Sequence, residues 1–219
     1  MIYLVRHGRT EFNAEGRFQG QLDSPLTSLG VEQARRYGAL LGRLIADPAD
    51  WRVVASPLGR AVHTAEIIAE GLGLPNDFAR DPRLAEIGMG SWDGLTDEEI
   101  ETVSPGVLKG ASRYDFFFRA PDGEGYAAFA ARLGDWLAEA RGYALPRIAV
   151  SHGVAGRVLR GLYAGMDTEA ALKLDAPQDA IFRLAGGHVE RIDCDTAPAL
   201  DAPLGPPLAP PLAFAGPRR

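Results

Sequence analysis

Cysteine is nearly absent: Cys194 is the only one among 219 residues. An intrachain disulfide is therefore excluded, as is a zinc site built on several thiolates. The count fits a reducing compartment. No run of about 20 apolar residues is available to span a bilayer. The opening MIYLVRHGRT turns charged after five apolar or aromatic residues, too few for a secretory signal core. Basic residues are in deficit, 23 Lys and Arg against 29 Asp and Glu, for a formal net charge of −6 and a pI of about 5.3. Such a chain is a poor partner for nucleic acid or for an anionic membrane. A local arginine cluster can still serve a small anionic substrate. The expectation is a soluble, cytoplasmic protein.

Several phosphate-handling signatures are also missing. There is no GxxxxGK[ST] loop and no GxGxxG; Gly88, Gly90 and Gly94 are spaced wrongly for one. A cysteine nucleophile needs an arginine six residues on, and that position is Leu200. Asp193 and Asp195 follow a predicted strand, but the chain beyond them is proline-rich, so they read as solvated acids at a hairpin end. No histidine pair has HxxxH spacing. No metal and no other cofactor is implied.

What is present is an alternation of strand and helix signals. Ile2 to Val5 is a short apolar run of the kind that forms a buried strand, and it ends at Arg6-His7-Gly8. Thr27 to Ala46 reads as a helix capped by Thr27 or Ser28, with Leu29, Ala34, Tyr37, Leu40, Leu41 and Leu44 at roughly helical spacing. Arg52 to Ala55 reads as a strand ending at Ser56-Pro57, and a helix follows from about Leu58 to Gly71. Leu84 to Ile87 reads as a short extended piece, Asp97 to Val103 as a short helix, and Gly125 to Arg141 as an amphipathic helix. Arg147 to Val150 is a third strand, ending at Ser151-His152-Gly153, with a helix from about Val154 to Ala164. Ala180 to Leu184 and Val189 to Ile192 read as a hairpin around Gly186-Gly187.

This order predicts an α/β fold: a three-layer αβα sandwich with a mostly parallel central sheet and a small cap insertion. Residues 1–196 are expected to form one domain, with the cap at about 95–125. Residues 197–219 hold seven prolines and read as a separate tail. In such sheets the active site lies beyond the carboxyl ends of the strands. Three strands here lead into reactive residues: Arg6-His7, Ser56 on to Arg60, and Ser151-His152.

A single histidine or arginine at such a place is most often structural. His63 reads as an ordinary helix residue, His188 as a solvated hairpin residue and Trp92 as core. The combination at the start of the chain is more specific. Arg6 offers paired planar donors suited to phosphate oxygens. Gly8 allows close backbone approach. His7 suits attack on phosphorus if its other ring nitrogen is held by a backbone carbonyl.

Leu4-Val5-Arg6-His7-Gly8-Arg9-Thr10-Glu11-Phe12-Asn13 resembles the signature of the histidine phosphatase superfamily, which contains cofactor-dependent phosphoglycerate mutases and many phosphatases. Four further blocks match in order: Gly20 to Gly30 with Gln33-Ala34; Ser56-Pro57-Leu58-Gly59-Arg60-Ala61; Leu84-Ala85-Glu86-Ile87 with Gly90, Trp92, Gly94 and Leu95; and Val150-Ser151-His152-Gly153. They span roughly residues 2 to 195. Each block is weak alone, and five in order are specific.

The resemblance implies that His7 attacks phosphorus and that Arg6, Arg60 and His152 bind the non-bridging oxygens. Glu86 would be the general acid and then the base. Asn13, Gln19, Gly20 and Gly153 complete the implied substrate-binding set. The implied activity is a metal-independent phosphatase acting on a small phosphomonoester through a phosphohistidine. The alternatives are a cofactor-dependent phosphoglycerate mutase and a non-catalytic phospho-ligand-binding or scaffold protein. The acidic stretch Asp97-Glu98-Glu99-Ile100-Glu101 is unlike the basic segment of mutases, though Lys109, Arg113 and Arg119 lie downstream. Pro121-Asp122-Gly123-Glu124 resembles a Pro-Gly-Gly-Glu-Ser segment of phosphatase-type members and departs from it at Asp122 and Gly125. Phe116, Phe117 and Phe118 either favour an apolar leaving group or pack the cap. The implied partner is a small phosphorylated substrate, with no nucleic acid and no membrane; a homodimer is left open.

Overall fold

The apolar run at the start of the chain forms β1 (Ile2–Arg6). Its side chains alternate: Ile2 and Leu4 enter one core while Tyr3 and Val5 enter another. That is the period-two pattern of a strand buried on both faces. The computed structural model describes residues 1–194, and the proline-rich tail expected at 197–219 lies outside them.

The other strands are β2 (Arg52–Ala55), β3 (Ala79–Arg80), β4 (Arg147–Ser151), β5 (Ala180–Ala185) and β6 (His188–Asp193). They form one sheet in the order β3-β2-β4-β1-β5-β6. The pairings β1–β4, β4–β2 and β2–β3 are parallel; β5 runs antiparallel to β1, and β6 to β5. The β5–β6 hairpin turns at Gly186 and Gly187, both in the left-handed region with φ of 57° and 81°, the backbone that a tight two-residue hairpin demands.

The helices are α1 (Glu11–Glu15), α2 (Ser28–Leu44), α3 (Gly59–Gly71), α4 (Asp97–Val103), α5 (Tyr126–Arg141), α6 (Gly153–Ala164) and α7 (Thr168–Leu172). Tyr37, Leu40 and Leu41 of α2 and Ala61, Ala65 and Ile68 of α3 cover the Tyr3–Val5 face of the sheet. Phe129, Leu133 and Trp136 of α5 and Val158 and Leu159 of α6 cover the Ile2–Leu4 face. The result is the expected three-layer α/β arrangement. Burying each of the larger of these side chains contributes about 1.5–3 kcal/mol relative to exposure.

Two local expectations are corrected. Leu84 to Ile87 is not a strand: Leu84 closes a 3₁₀ turn (Pro82–Leu84) capped by the Asp81 side chain, Ala85 after it has extended backbone, and the pairing strand lies upstream at Ala79–Arg80. Leu29 and Leu44 are not on the buried stripe of α2; they are 45% and 39% exposed. Phe116 and Phe117 are buried, in a 3₁₀ turn (Phe116–Arg119). Phe116 lies against Phe18, and Phe118 against Tyr126 and Phe129. The three rings pack the segment onto the body of the protein, the second of the two readings given above.

Candidate active site

The sheet order places the carboxyl ends of β1, β4 and β2 side by side. The ladder runs one residue past the strands: the His7 N–H donates to the Ser151 carbonyl at 3.0 Å, and the Ser56 N–H to the Val150 carbonyl at 2.9 Å. Positions 7, 152 and 56, far apart in sequence, therefore share one edge. The rings of His7 and His152 lie 5.1 Å apart, centroid to centroid. Both side chains are almost wholly buried, at 3% and 1% exposure.

The His7 Nδ1 lies 2.8 Å from the carbonyl oxygen of its own neighbour, Gly8. A carbonyl can only accept, so Nδ1 carries the proton and Nε2 keeps a free lone pair. Burial pushes the His7 pKa well below the usual 6.5, and the charges of Arg60 and Arg6 push the same way. His152 is also lowered, by burial first and then by Arg60, His7 and Arg6. Its Nε2 shares a 2.7 Å hydrogen bond with the Ser56 hydroxyl. The site thus holds two neutral imidazoles beside fixed cations.

Arg6 ends β1 and is packed by the backbone of Gly153, where a Cβ would stand 3.5 Å from the guanidinium carbon. It donates to the Ala176 carbonyl, and its Nε is buried without a hydrogen-bond partner among the described residues. Arg60 begins α3. Its guanidinium reaches back to the 20–23 loop, donating to the carbonyls of Gly20 at 2.7 Å and Leu22 at 2.6 Å and to the Asp23 carboxylate at 2.8 Å. Asp23 also accepts from the Gly59 N–H at 2.6 Å, so one carboxylate serves both the start of α3 and the arginine on it. Burial lowers the pKa of both arginines, and the carboxylate of Glu86 pushes the other way on each.

Glu86 lies on the irregular chain after the 3₁₀ turn. Its carboxylate accepts the N–H groups of Val154 and Ala155, each at 3.0 Å, and of Ile87 at 3.2 Å. It therefore rests on the first turn of α6, the helix that His152 starts, where free N–H groups favour an anion. Glu86 also exerts electrostatic influence on Arg6 and Arg60, which places all three in one neighbourhood.

The other expected residues lie on the chain between β1 and α2. Asn13 belongs to a capping box with Thr10 at the start of α1. Its side-chain oxygen accepts from the Thr10 N–H at 3.3 Å, which leaves the amide nitrogen as its donor end. Gln19 is buried, 3.4 Å from the Ser24 hydroxyl. Gly20 has a positive φ of 51°, and a Cβ there would collide with Asp93 at 1.5 Å.

Two residues that the sequence reading did not include help to build the site. The Gln178 amide donates to the His7 carbonyl at 3.0 Å and to the Asn13 side-chain oxygen at 3.4 Å. Arg132, on α5, donates to the carbonyls of Arg83 at 2.7 Å, Ala85 at 2.8 Å and Glu86 at 3.1 Å. It also grips both oxygens of Glu124, at 2.7 and 2.8 Å. Neither had a local motif to reveal it; both act on distant backbone. Among the described residues no group of three His, Cys, Asp or Glu could hold a metal ion, and no helix is long and apolar enough to cross a membrane.

Fold and site together define an α/β enzyme of the phosphatase- or mutase-like kind, with paired histidines and arginines at the carboxyl ends of parallel strands. The chain belongs to the histidine phosphatase superfamily (branch 1), whose family model matches residues 2–190. It is 37% identical over 211 residues to the probable phosphoglycerate mutase GpmB of Enterobacter sp. (strain 638), covering 91% of this chain and 87% of that one. Among solved structures it resembles the α-ribazole phosphatase of Shigella flexneri, with a TM-score of 0.73 and 25% identity over 92% of this chain and 99% of that one. It also resembles a mycobacterial glucosyl-3-phosphoglycerate phosphatase in complex with VO3, with a TM-score of 0.66 and 28% identity over 83% and 90%.

Proposed function

We propose that the protein is a metal-independent phosphatase that hydrolyses a small phosphomonoester through a phosphohistidine. The observation that carries this reading is the His7 Nδ1 contact with the Gly8 carbonyl, which aims a bare Nε2 into a buried, arginine-flanked site. The Nε2 lone pair forms the P–N bond as the P–O bond to the leaving group breaks. Arg6, Arg60 and His152 hold the non-bridging oxygens and stabilise the charge spread over them. Glu86 gives a proton to the leaving oxygen. It then takes one from the water that attacks phosphorus, and the P–N bond breaks to restore His7.

Hydrolysis is favoured over phosphoryl exchange by the cap. Arg119 is committed to the carbonyls of Val107, Lys109 and Gly110, and α4, at the start of the cap segment, opens with Asp97, Glu98 and Glu99. Two of the similar proteins are named as phosphatases and one as a probable mutase. The reading takes residues 1–196 as one functional domain with about 95–125 as its cap, Asn13, Gln19, Gly20 and Gly153 as further substrate contacts, and a cytoplasmic location in keeping with the single cysteine.

The test is to incubate the protein without metal with p-nitrophenyl phosphate and, separately, with 3-phosphoglycerate plus its bisphosphate, beside His7→Ala. Phosphate release lost by on the order of 10³-fold or more in His7→Ala supports the reading. Isomerisation of phosphoglycerate supports the mutase. Silence on a broad panel of esters supports a binding or scaffold protein.

A further inference from the structure

The chain between α7 and β5, residues 173–179, reaches the site as a strap and touches it at two points. The Ala176 carbonyl accepts from Arg6 Nη1, and the Gln178 amide donates to the His7 carbonyl at 3.0 Å. Pro177 stands between them. Its ring fixes its own φ and confines Ala176, the residue before it, to extended backbone. A shift at Asp175 is therefore passed on to the Ala176 carbonyl and is not absorbed on the way.

Arg6 depends on that carbonyl. Among the described residues Ala176 accepts its hydrogen bond, while the Arg6 Nε is buried with no partner. Arg6, Gly156, Arg160, Ala176, Pro177 and Phe182 line a crevice of about 10 Å³, room for one water at most. The guanidinium has little slack, and its orientation is set by the strap and by the backbone of Gly153.

Asp175 fastens the strap. Its carboxylate accepts from Arg160 Nη1 at 3.0 Å, and its carbonyl accepts from Arg160 Nη2. Arg191 of β6 donates to the other carboxylate oxygen. Arg160 is itself immobile. It is 4% exposed, its Nε donates to the Gly156 carbonyl at 3.1 Å, and its guanidinium carbon lies 3.8 Å from the centroid of the Phe182 ring. It stands on α6, seven residues or about two turns beyond Gly153. One helix thus carries both the glycine packed on Arg6 and the arginine that fastens the strap on which Arg6 leans.

We infer that Arg160 and Asp175 are positioning residues: their forked contact holds the Ala176 carbonyl where it orients the Arg6 guanidinium beside His7. They act through Arg6. The effect on turnover rests on the phosphatase reading above; the effect on Arg6 does not.

The experiment reads the Arg6 Nε–H signal by ¹⁵N NMR, assigned by its absence from Arg6→Lys, together with kcat/KM on p-nitrophenyl phosphate. Asp175→Ala strips both arginines from the carboxylate. Asp175→Asn keeps an oxygen for Arg160 and preserves the fold if the alanine variant does not. Lys173→Met is the control on the same strap, since Lys173 pairs with Glu169 of its own helix at the surface. The Nε–H of Arg132, which donates to Glu124, is the control signal. The expected result is that the Arg6 signal moves in Asp175→Ala, moves less in Asp175→Asn and stays in Lys173→Met, while the Arg132 signal stays throughout. With it, kcat/KM falls by about 10- to 100-fold in Asp175→Ala, as a misplaced binding group costs, by less in Asp175→Asn, and not in Lys173→Met. An Arg6 signal that stays in both Asp175 variants, one that moves with kcat/KM unchanged, or equal movement of the Arg132 signal overturns the inference and leaves the phosphatase reading standing. Movement of the Arg6 signal alone in a protein whose wild type releases no phosphate overturns the phosphatase reading and keeps the positioning role.

Discussion

Gly8 and Gly30 meet backbone to backbone: a Cβ on Gly8 would stand 2.2 Å from the Gly30 carbonyl oxygen, and one on Gly30 would stand 2.0 Å from that of Arg9. Neither glycine has a positive φ, so what they supply is space. The contact pins the turn that carries His7 to the first turn of α2. Gly8→Ala and Gly30→Ala should each lower stability by about 1–3 kcal/mol or more, as overpacking does. Urea unfolding midpoints check this, and an unchanged midpoint in both variants would contradict the contact.

Arg132 holds the chain around Glu86 through the carbonyls of residues 83, 85 and 86. Arg132→Ala should cost about 1.5–3 kcal/mol of stability, since it strips hydrogen bonds from a charged group and leaves Glu124 unpaired. In the folded variant, kcat should fall by about 10- to 100-fold for alkyl phosphates, whose leaving oxygen needs the proton of a well-placed acid. It should fall much less for p-nitrophenyl phosphate, whose leaving group departs unaided. Equal losses on both would show a general structural role.

Both site histidines are held neutral by burial and by the arginines. In the unfolded chain they titrate near 6.5, so below that pH the unfolded state binds protons that the folded state refuses. Stability therefore falls as pH drops below 6.5, by at most about 1.4 kcal/mol per pH unit for each histidine, until the folded histidines protonate as well. Denaturation between pH 7 and 5 should show a shallower acid slope in His152→Asn than in the wild type. By the same argument the acid limb of kcat/KM due to His7 should lie below pH 6.5.

Cys194 is buried, and burial raises its thiol pKa to about 11. The thiolate is scarce at neutral pH, so the native protein should react with a thiol reagent far more slowly than the same chain in denaturant. Equal rates in both states would contradict this.

The sheet and its flanking helices were legible because their cores repeat at fixed periods. Val53 and Ala55 face one way and Val54 the other, and Ala61, Ala65, Ile68 and Ala69 line one face of α3. The strand ends at His7, Ser56 and Ser151 followed from where those runs stop. What was hidden depends on partners distant in sequence. Ala79–Arg80 is exposed and has no apolar pattern; it is a strand because Val54 and Ala55 present an open edge. α1 and α7 span five residues each, too short for a period, and are held by the caps Thr10 and Asp167. Leu29 and Leu44 kept the apolar character of a buried stripe but face outward at the two ends of α2. In the site, histidines and arginines inside motifs could be placed. Arg132 and Gln178 act on the backbone of remote segments, so no spacing announces them.

The order of strands has a consequence for how the chain comes to life. β4 is threaded between β1 and β2, although both precede it by about a hundred residues or more. Until it is seated, the strand ends that bear His7 and Ser56 have no common neighbour, and α6 is not there to hold Glu86. His7 sits at the end of the first strand, yet the edge it shares with Ser56 and His152 is incomplete until the middle strand slots home late. Any activity that needs all three strand ends together thus reports a finished molecule, and half-made copies are inert.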